Sequence, residues 1–79
     1  MRIDDYLSTV GIIKRRTIAK EKADNGLVEV NGRKVKPSYE VKLGDIIVIR
    51  GSQPFTAEVL ALPTGSVAKD ARAGYYRPL

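Results

Sequence analysis

Apolar residues recur along the first fifty positions in two rhythms, and the switch between them divides the chain into helices and strands. Ile3, Leu7 and Val10 fall at i, i+4 and i+7, one stripe of a short helix. Asp4 and Asp5 suit the positive end of its macrodipole, Asp4 is the expected N-cap, and Gly11 is placed to end the helix. A second helix is predicted from near Arg15 to Asn25. Ala19 and Ala23 give it a narrow face for close packing, Thr17 is its expected cap, and Asn25-Gly26 stops it. The rhythm then becomes twofold. Leu27-Val28-Glu29-Val30 alternates as a strand, and Asn31-Gly32 is the dipeptide a tight hairpin turn needs, because both of its residues must adopt positive φ. Arg33-Lys34-Val35 returns, and Pro37-Ser38 breaks the chain. Leu43-Gly44-Asp45 turns into Ile46-Ile47-Val48-Ile49, an apolar run that reads as a central strand. Thr56 to Leu62 should pair with it, although periodicity leaves open which face of these two strands points inward.

This order of parts predicts an α+β fold: two packed helices against a small, mostly antiparallel sheet of four or five strands. Residues 1–62 are expected to form the domain. Residues 63–79 are rich in small and polar residues and carry two adjacent tyrosines, Tyr75 and Tyr76, and they read as a C-terminal tail with a short helical turn around Ala68–Ala73, mobile when alone. The two tyrosines could stack on bases, dock into a partner or cover the core.

Composition narrows the class. Seventy-nine residues make one domain, with a modest core. No apolar run approaches the ~18 residues of a membrane span, and the amino terminus lacks a signal peptide's apolar stretch. A soluble, cytoplasmic protein is the expectation. Cysteine and histidine are both absent, which removes disulfides, thiol chemistry and the commonest acid–base and metal-binding side chain. Asp4 and Asp5 are no catalytic pair, since neighbours on a helix point about 100° apart. No phosphate-binding glycine loop, nucleophile–base set or metal spacing occurs. An enzyme is not expected, nor a metal or other cofactor.

Charge changes the picture most. The net charge is +5. The segment from Lys14 to Lys36 carries eight basic and three acidic residues, so the whole excess lies on one helix-and-hairpin unit and the rest sums to zero. So concentrated a charge is a footprint for a polyanion, nucleic acid first. Lys14, Arg15 and Arg16 stand at the start of the second helix, where each cation opposes the macrodipole by about 0.3–1 kcal/mol. A phosphate there would be gripped by amides and cations together. Arg16 and Lys20, four apart, share a face. Arg33, Lys34 and Lys36 extend the positive surface if the hairpin turn packs beside the start of this helix. Arg2 could fork onto phosphate with Asp4 holding it in place. A solvated surface or a set of edge-strand lysines would use many of the same residues.

The succession R-I-D-D-Y-L, K-R-R-T-I-A-K-E-K-A-D-N-G, L-V-E-V, N-G, K-V-K-P and L-G-D over residues 2–50 resembles the alpha-L RNA-binding motif of ribosomal protein S-four type. That motif also occurs in tyrosyl-tRNA synthetases, pseudouridine synthases and a small heat-shock ribosome-binding protein. The start R-I-D, the central I-K-R-R-T-I-A-K-E and the end K-D-A-R-A-G-Y-Y are similar to the bacterial ribosome-associated quality-control protein P family. The resemblance implies a non-enzymatic RNA-binding protein of translation on stalled large ribosomal subunits. It would touch ribosomal RNA and peptidyl-tRNA together and support C-terminal tailing of the stuck chain by a partner protein. It also implies that Arg2 and Arg16 contact RNA beside Asp4. Many members of the motif have serine where Arg15 stands, which shifts the expected cap to Thr17. The full set of expected RNA-binding residues is Arg2, Asp4, Lys14, Arg15, Arg16, Thr17, Lys20, Lys34 and Lys36. Alternatives are a ribosome-recycling heat-shock factor, a ribosome-assembly protein with the same motif, or a basic adaptor for an acidic protein.

Overall fold

A computed structural model of the chain describes residues 1–65 and 67–79. Helix α1 spans Ile3–Thr9 and helix α2 spans Arg16–Asp24. Strands β1 (Val28–Val30), β2 (Arg33–Lys34), β3 (Ile46–Ile49), β4 (Phe55–Val59) and β5 (Tyr76–Pro78) form one antiparallel sheet in the order β2-β1-β3-β4-β5. The two helices and the sheet match the expected α+β class, and β3 is central.

The turn chemistry holds. Asn31 and Gly32 have φ of 53° and 85°, so both take the left-handed conformation that joins β1 to β2. The inward face of the sheet, open in the sequence, is set by Val28, Val30, Ile47, Ile49 and Val59. These pack with Ile3, Tyr6, Leu7 and Val10 of α1 and with Ala19 and Ala23 of α2 into one core. The two alanines let α2 lie close to its neighbours, as their spacing predicts.

Two expectations about the start of α1 and the end of the chain are corrected. The residue at the α1 cap position is Arg2, in extended conformation (φ −68°, ψ 149°), and Asp4 lies inside the first turn. The reason is tertiary. Arg2 is bridged antiparallel to Glu40, and the Ile3 amide donates to the Tyr39 carbonyl at 2.8 Å, so the backbone stays extended until Ile3.

The segment after Pro63, expected to be a tail, holds a 3-10 helix over Lys69–Gly74 and the fifth strand of the sheet. It is joined to α1 as well. The Tyr6 hydroxyl donates to the Tyr75 carbonyl at 2.8 Å, and the Arg72 side chain lies over Gly11. Gly11 has φ +82°, and a Cβ there would sit 2.8 Å from Arg72 Cδ, so glycine serves both the turn and this approach. Tyr76 packs edge-to-face on Phe55. The tyrosines thus cover the core, one of the roles left open. Among the described residues, no helix is long and apolar enough to cross a membrane.

Candidate functional site

The bridge at Arg2 and the first turn of α1 put Asp4 where it meets two arginines. Its side chain is almost fully buried, at 1% exposure. Arg2 forks onto it, with Nε donating to Oδ1 at 3.2 Å and Nη2 to Oδ2 at 3.1 Å. The Asp5 amide donates to Oδ1 at 2.7 Å, satisfying one of the first-turn donors from inside the helix. Arg16, the first residue of α2, brings its Nε to 3.6 Å from Oδ2. A buried carboxylate without partners costs several kcal/mol. Here two guanidinium groups and an amide surround it.

Arg2, Asp4, Arg16, Thr17 and Lys20 line one open cavity of about 300 Å³. The four-residue spacing of Arg16 and Lys20 puts them on the same face of α2, turned toward the start of α1. Three cations around one anion leave a net charge of +2. The arginine side chains remain about half exposed, 45% for Arg2 and 51% for Arg16. A guanidinium carries five N–H donors, and Arg2 spends two on Asp4, so donors remain to face an incoming anion. Asp4 acts as a tether that fixes where those donors stand.

Thr17 is not the cap of α2. That position belongs to Arg15, which is extended (φ −127°, ψ 137°) and makes no side-chain cap bond. The helix starts two residues earlier than a threonine cap would need, and Thr17, the second helical residue, is part of the cavity wall. Lys14 and Arg15 are exposed just before α2, outside this wall.

The hairpin cations divide. The Lys34 side chain approaches Gly26, beyond the last turn of α2. It therefore stands at the end of that helix opposite Arg16, where a cation complements the macrodipole. The expected joining of the hairpin to the start of α2 does not occur at Lys34. Lys36 is exposed and outside the cavity wall, and it precedes Pro37, whose carbonyl accepts from the Asp4 amide at 3.3 Å.

Sequence reading assigned Gly44-Asp45 to a turn and missed its larger part. Asp45 is buried and accepts from Asn31 Nδ2 at 3.1 Å, the Tyr39 hydroxyl at 2.9 Å and the Lys42 amide at 3.0 Å. Asn31 Oδ1 in turn accepts from the Ile46 amide. This network ties the β1–β2 turn to the entry of β3. Burial and the Asp45 carboxylate both push the Tyr39 phenol up from its ordinary pKa. At the sheet surface, the hydrogen bond from Arg50 holds the Glu29 carboxyl below its usual range.

The S4 domain family matches residues 1–47. The RQC P-site tRNA stabilizing factor of Streptococcus pneumoniae is 44% identical over 77 residues, covering 96% of this chain and 86% of that protein. The factor of the same name from Listeria innocua is 43% identical over 76 residues, covering 95% and 83%. Among solved structures, the trimeric Heat Shock Protein 15 of Vibrio cholerae superposes with a TM-score of 0.90 at 26% identity, covering the whole of this chain and 81% of the other. The chain belongs to the S4-domain family, and within it to the family of the RQC P-site tRNA stabilizing factors.

Proposed function

We propose that the protein is a non-enzymatic RNA-binding factor of bacterial ribosome quality control. It binds the large ribosomal subunit, touching ribosomal RNA and peptidyl-tRNA, and supports a tailing factor that extends the stalled chain in the cytoplasm. The reading is carried by one observation: Arg2, Arg16, Thr17 and Lys20 converge on one cavity around a buried Asp4. Such a group recognises the phosphate ridge of a folded RNA through shape and charge, with bidentate donors setting the register. Lys14 and Arg15 at the edge of α2, and Lys36 beside Pro37, widen the contact, while Lys34 adds charge from the far end of α2. The name of the relatives, which refers to a P-site tRNA and to RQC, supports the ribosomal setting.

The fold likeness to Heat Shock Protein 15 favours a heat-shock factor as a second reading. Identity weighs against it, at 26% compared with 44% for the stabilizing factor.

Co-sedimentation with ribosomal subunits tests the reading. Arg16→Ala should weaken affinity about ten- to a hundredfold, as expected for a charge-assisted contact of roughly 1.5–3 kcal/mol, with the melting temperature within about 1 °C of the parent because the side chain is half exposed and Arg2 and the Asp5 amide still hydrogen-bond Asp4. An equal fall in stability would make Arg16 structural. Binding that survives RNase would indicate a protein partner.

A further inference from the structure

A second cavity of about 220 Å³ lies across α2 from the first. Ile13 of the α1–α2 linker, Ile49 at the end of β3 and Phe55 at the start of β4 form its apolar walls. Ser52 and Gln53 of the intervening loop and Lys22 of α2 supply its polar groups. Ile49 and Phe55 are cross-strand partners, so the β3–β4 hairpin sets their separation. Phe55 is further held by an edge-to-face contact with Tyr76, the ring centroids 6.1 Å apart. Lys20 and Lys22 are two residues apart, about 200° around the helix, so α2 presents Arg16 and Lys20 to the first cavity and Lys22 to the second. Among the described residues, Lys22 makes no ion pair.

We propose that this cavity receives one unstacked nucleotide of single-stranded RNA. The base lies against Phe55 and the isoleucines, its polar edge meets Gln53 and Ser52, and its phosphate meets Lys22. An aromatic wall, a few hydrogen-bonding groups and one cation are what an extruded base with its phosphate requires. The volume is below the roughly 300–1,000 Å³ of pockets for drug-sized molecules, which suits a single planar ring better than a peptide. The inference rests on the RNA-binding reading above and adds a base-reading contact to a surface otherwise limited to phosphates.

Amide chemical shifts of the protein test it with four probes: hexauridylate, an abasic ribose-phosphate hexamer, uridine monophosphate and hexaglutamate. Hexauridylate should shift Ser52, Gln53 and Phe55 and bind about fivefold or more tighter than the abasic hexamer. The abasic hexamer should shift the Arg16–Lys20 segment and leave the β3–β4 loop unmoved. Uridine monophosphate should shift the same loop at higher concentration, which separates a nucleotide site from one that needs a strand. Gln53→Ala should weaken hexauridylate about three- to tenfold and leave the abasic hexamer unchanged, with an unaltered melting temperature. Equal affinity for the two hexamers, with shifts confined to Arg16–Lys20, would overturn the base pocket and leave the phosphate surface standing. Loss of both interactions would remove the RNA reading and the pocket with it. Loop shifts from hexaglutamate as large as those from hexauridylate would assign the cavity to an acidic peptide and end the proposal.

Discussion

Asp4 separates two accounts of the basic cavity at the scale of a single residue. If only net charge mattered, Asp4→Asn would raise the charge from +5 to +6 and strengthen RNA binding. If the carboxylate sets the positions of Arg2 and Arg16, the same change loosens a forked contact and leaves two guanidinium groups to repel one another. The geometry favours the second account, since Asp4 is buried and each arginine reaches it from a different helix start. Asp4→Asn is expected to lower affinity for ribosomal subunits about threefold to thirtyfold and to lose about 1–3 kcal/mol of stability, the range for a buried hydrogen-bonded charge. Binding assays beside urea denaturation check both. A rise in affinity would show that charge alone governs the surface. Lys34 offers a contrast: it stands by Gly26 at the end of α2, and its loss removes charge without moving any cavity group.

At the scale of elements, α1 and the carboxyl-terminal segment depend on each other. Tyr6 is fully buried and donates to the Tyr75 carbonyl. Burial, with a smaller contribution from Tyr76, pushes its phenol up to about 12 from an ordinary 10.0. The folded state therefore holds the Tyr6 proton more tightly than the unfolded chain. That contribution is fully present below about pH 10 and is lost as the pH rises toward 12. Urea denaturation across this window should show a steep loss in the parent and a shallower one in Tyr6→Phe, which starts less stable for want of the hydrogen bond. Parallel slopes would place the alkaline loss elsewhere. Deleting residues 64–79 should lower the melting temperature by several degrees and expose the edge of β4 to self-association, measurable by sedimentation velocity. These contacts explain what the sequence could and could not disclose. The Asn31-Gly32 turn, the Ala19/Ala23 face and the Ile46–Ile49 strand were legible because each signal is local. The pairing of Arg16 with Lys20 was legible from helical spacing, and that of Arg2 with Asp4 from proximity. The start of α1 was not, because a bridge to Glu40 decides it from 38 residues away. The fifth strand was hidden for a similar reason: Tyr76–Pro78 is three residues long and ends in a proline that only an edge strand tolerates, and its partner is β4. Asp45 read as a turn residue because its acceptors are filled by Asn31 and Tyr39, which periodicity does not link to it.

For the molecule as a whole, the question is how much of the +5 excess is available to a polyanion. Arg50 and Arg77, which lie outside the basic segment, are paired across the sheet with Glu29 and Glu58. Arg2 and Arg16 share Asp4, and Lys20 makes no ion pair among the described residues. Arg50 and Arg77 thus each have a carboxylate of their own, whereas the cavity's three cations have one carboxylate among them, and the cavity keeps its positive balance. If Arg2, Arg16 and Lys20 each displace one counterion from an RNA phosphate, the logarithm of the binding constant should fall by about 2–3 for each tenfold rise in salt. Contacts by Lys14, Arg15 and Lys36 would steepen that slope by nearly one apiece. Lys20→Ala should lower the slope by about one and weaken binding to unrelated RNA sequences alike, because a phosphate contact carries no base information. A salt titration of the parent and this variant on two unrelated RNA hairpins measures both effects. A parent slope near zero would remove the electrostatic mechanism, and a variant slope equal to the parent's would take Lys20 out of the contact while leaving the Arg2–Asp4–Arg16 cluster in it.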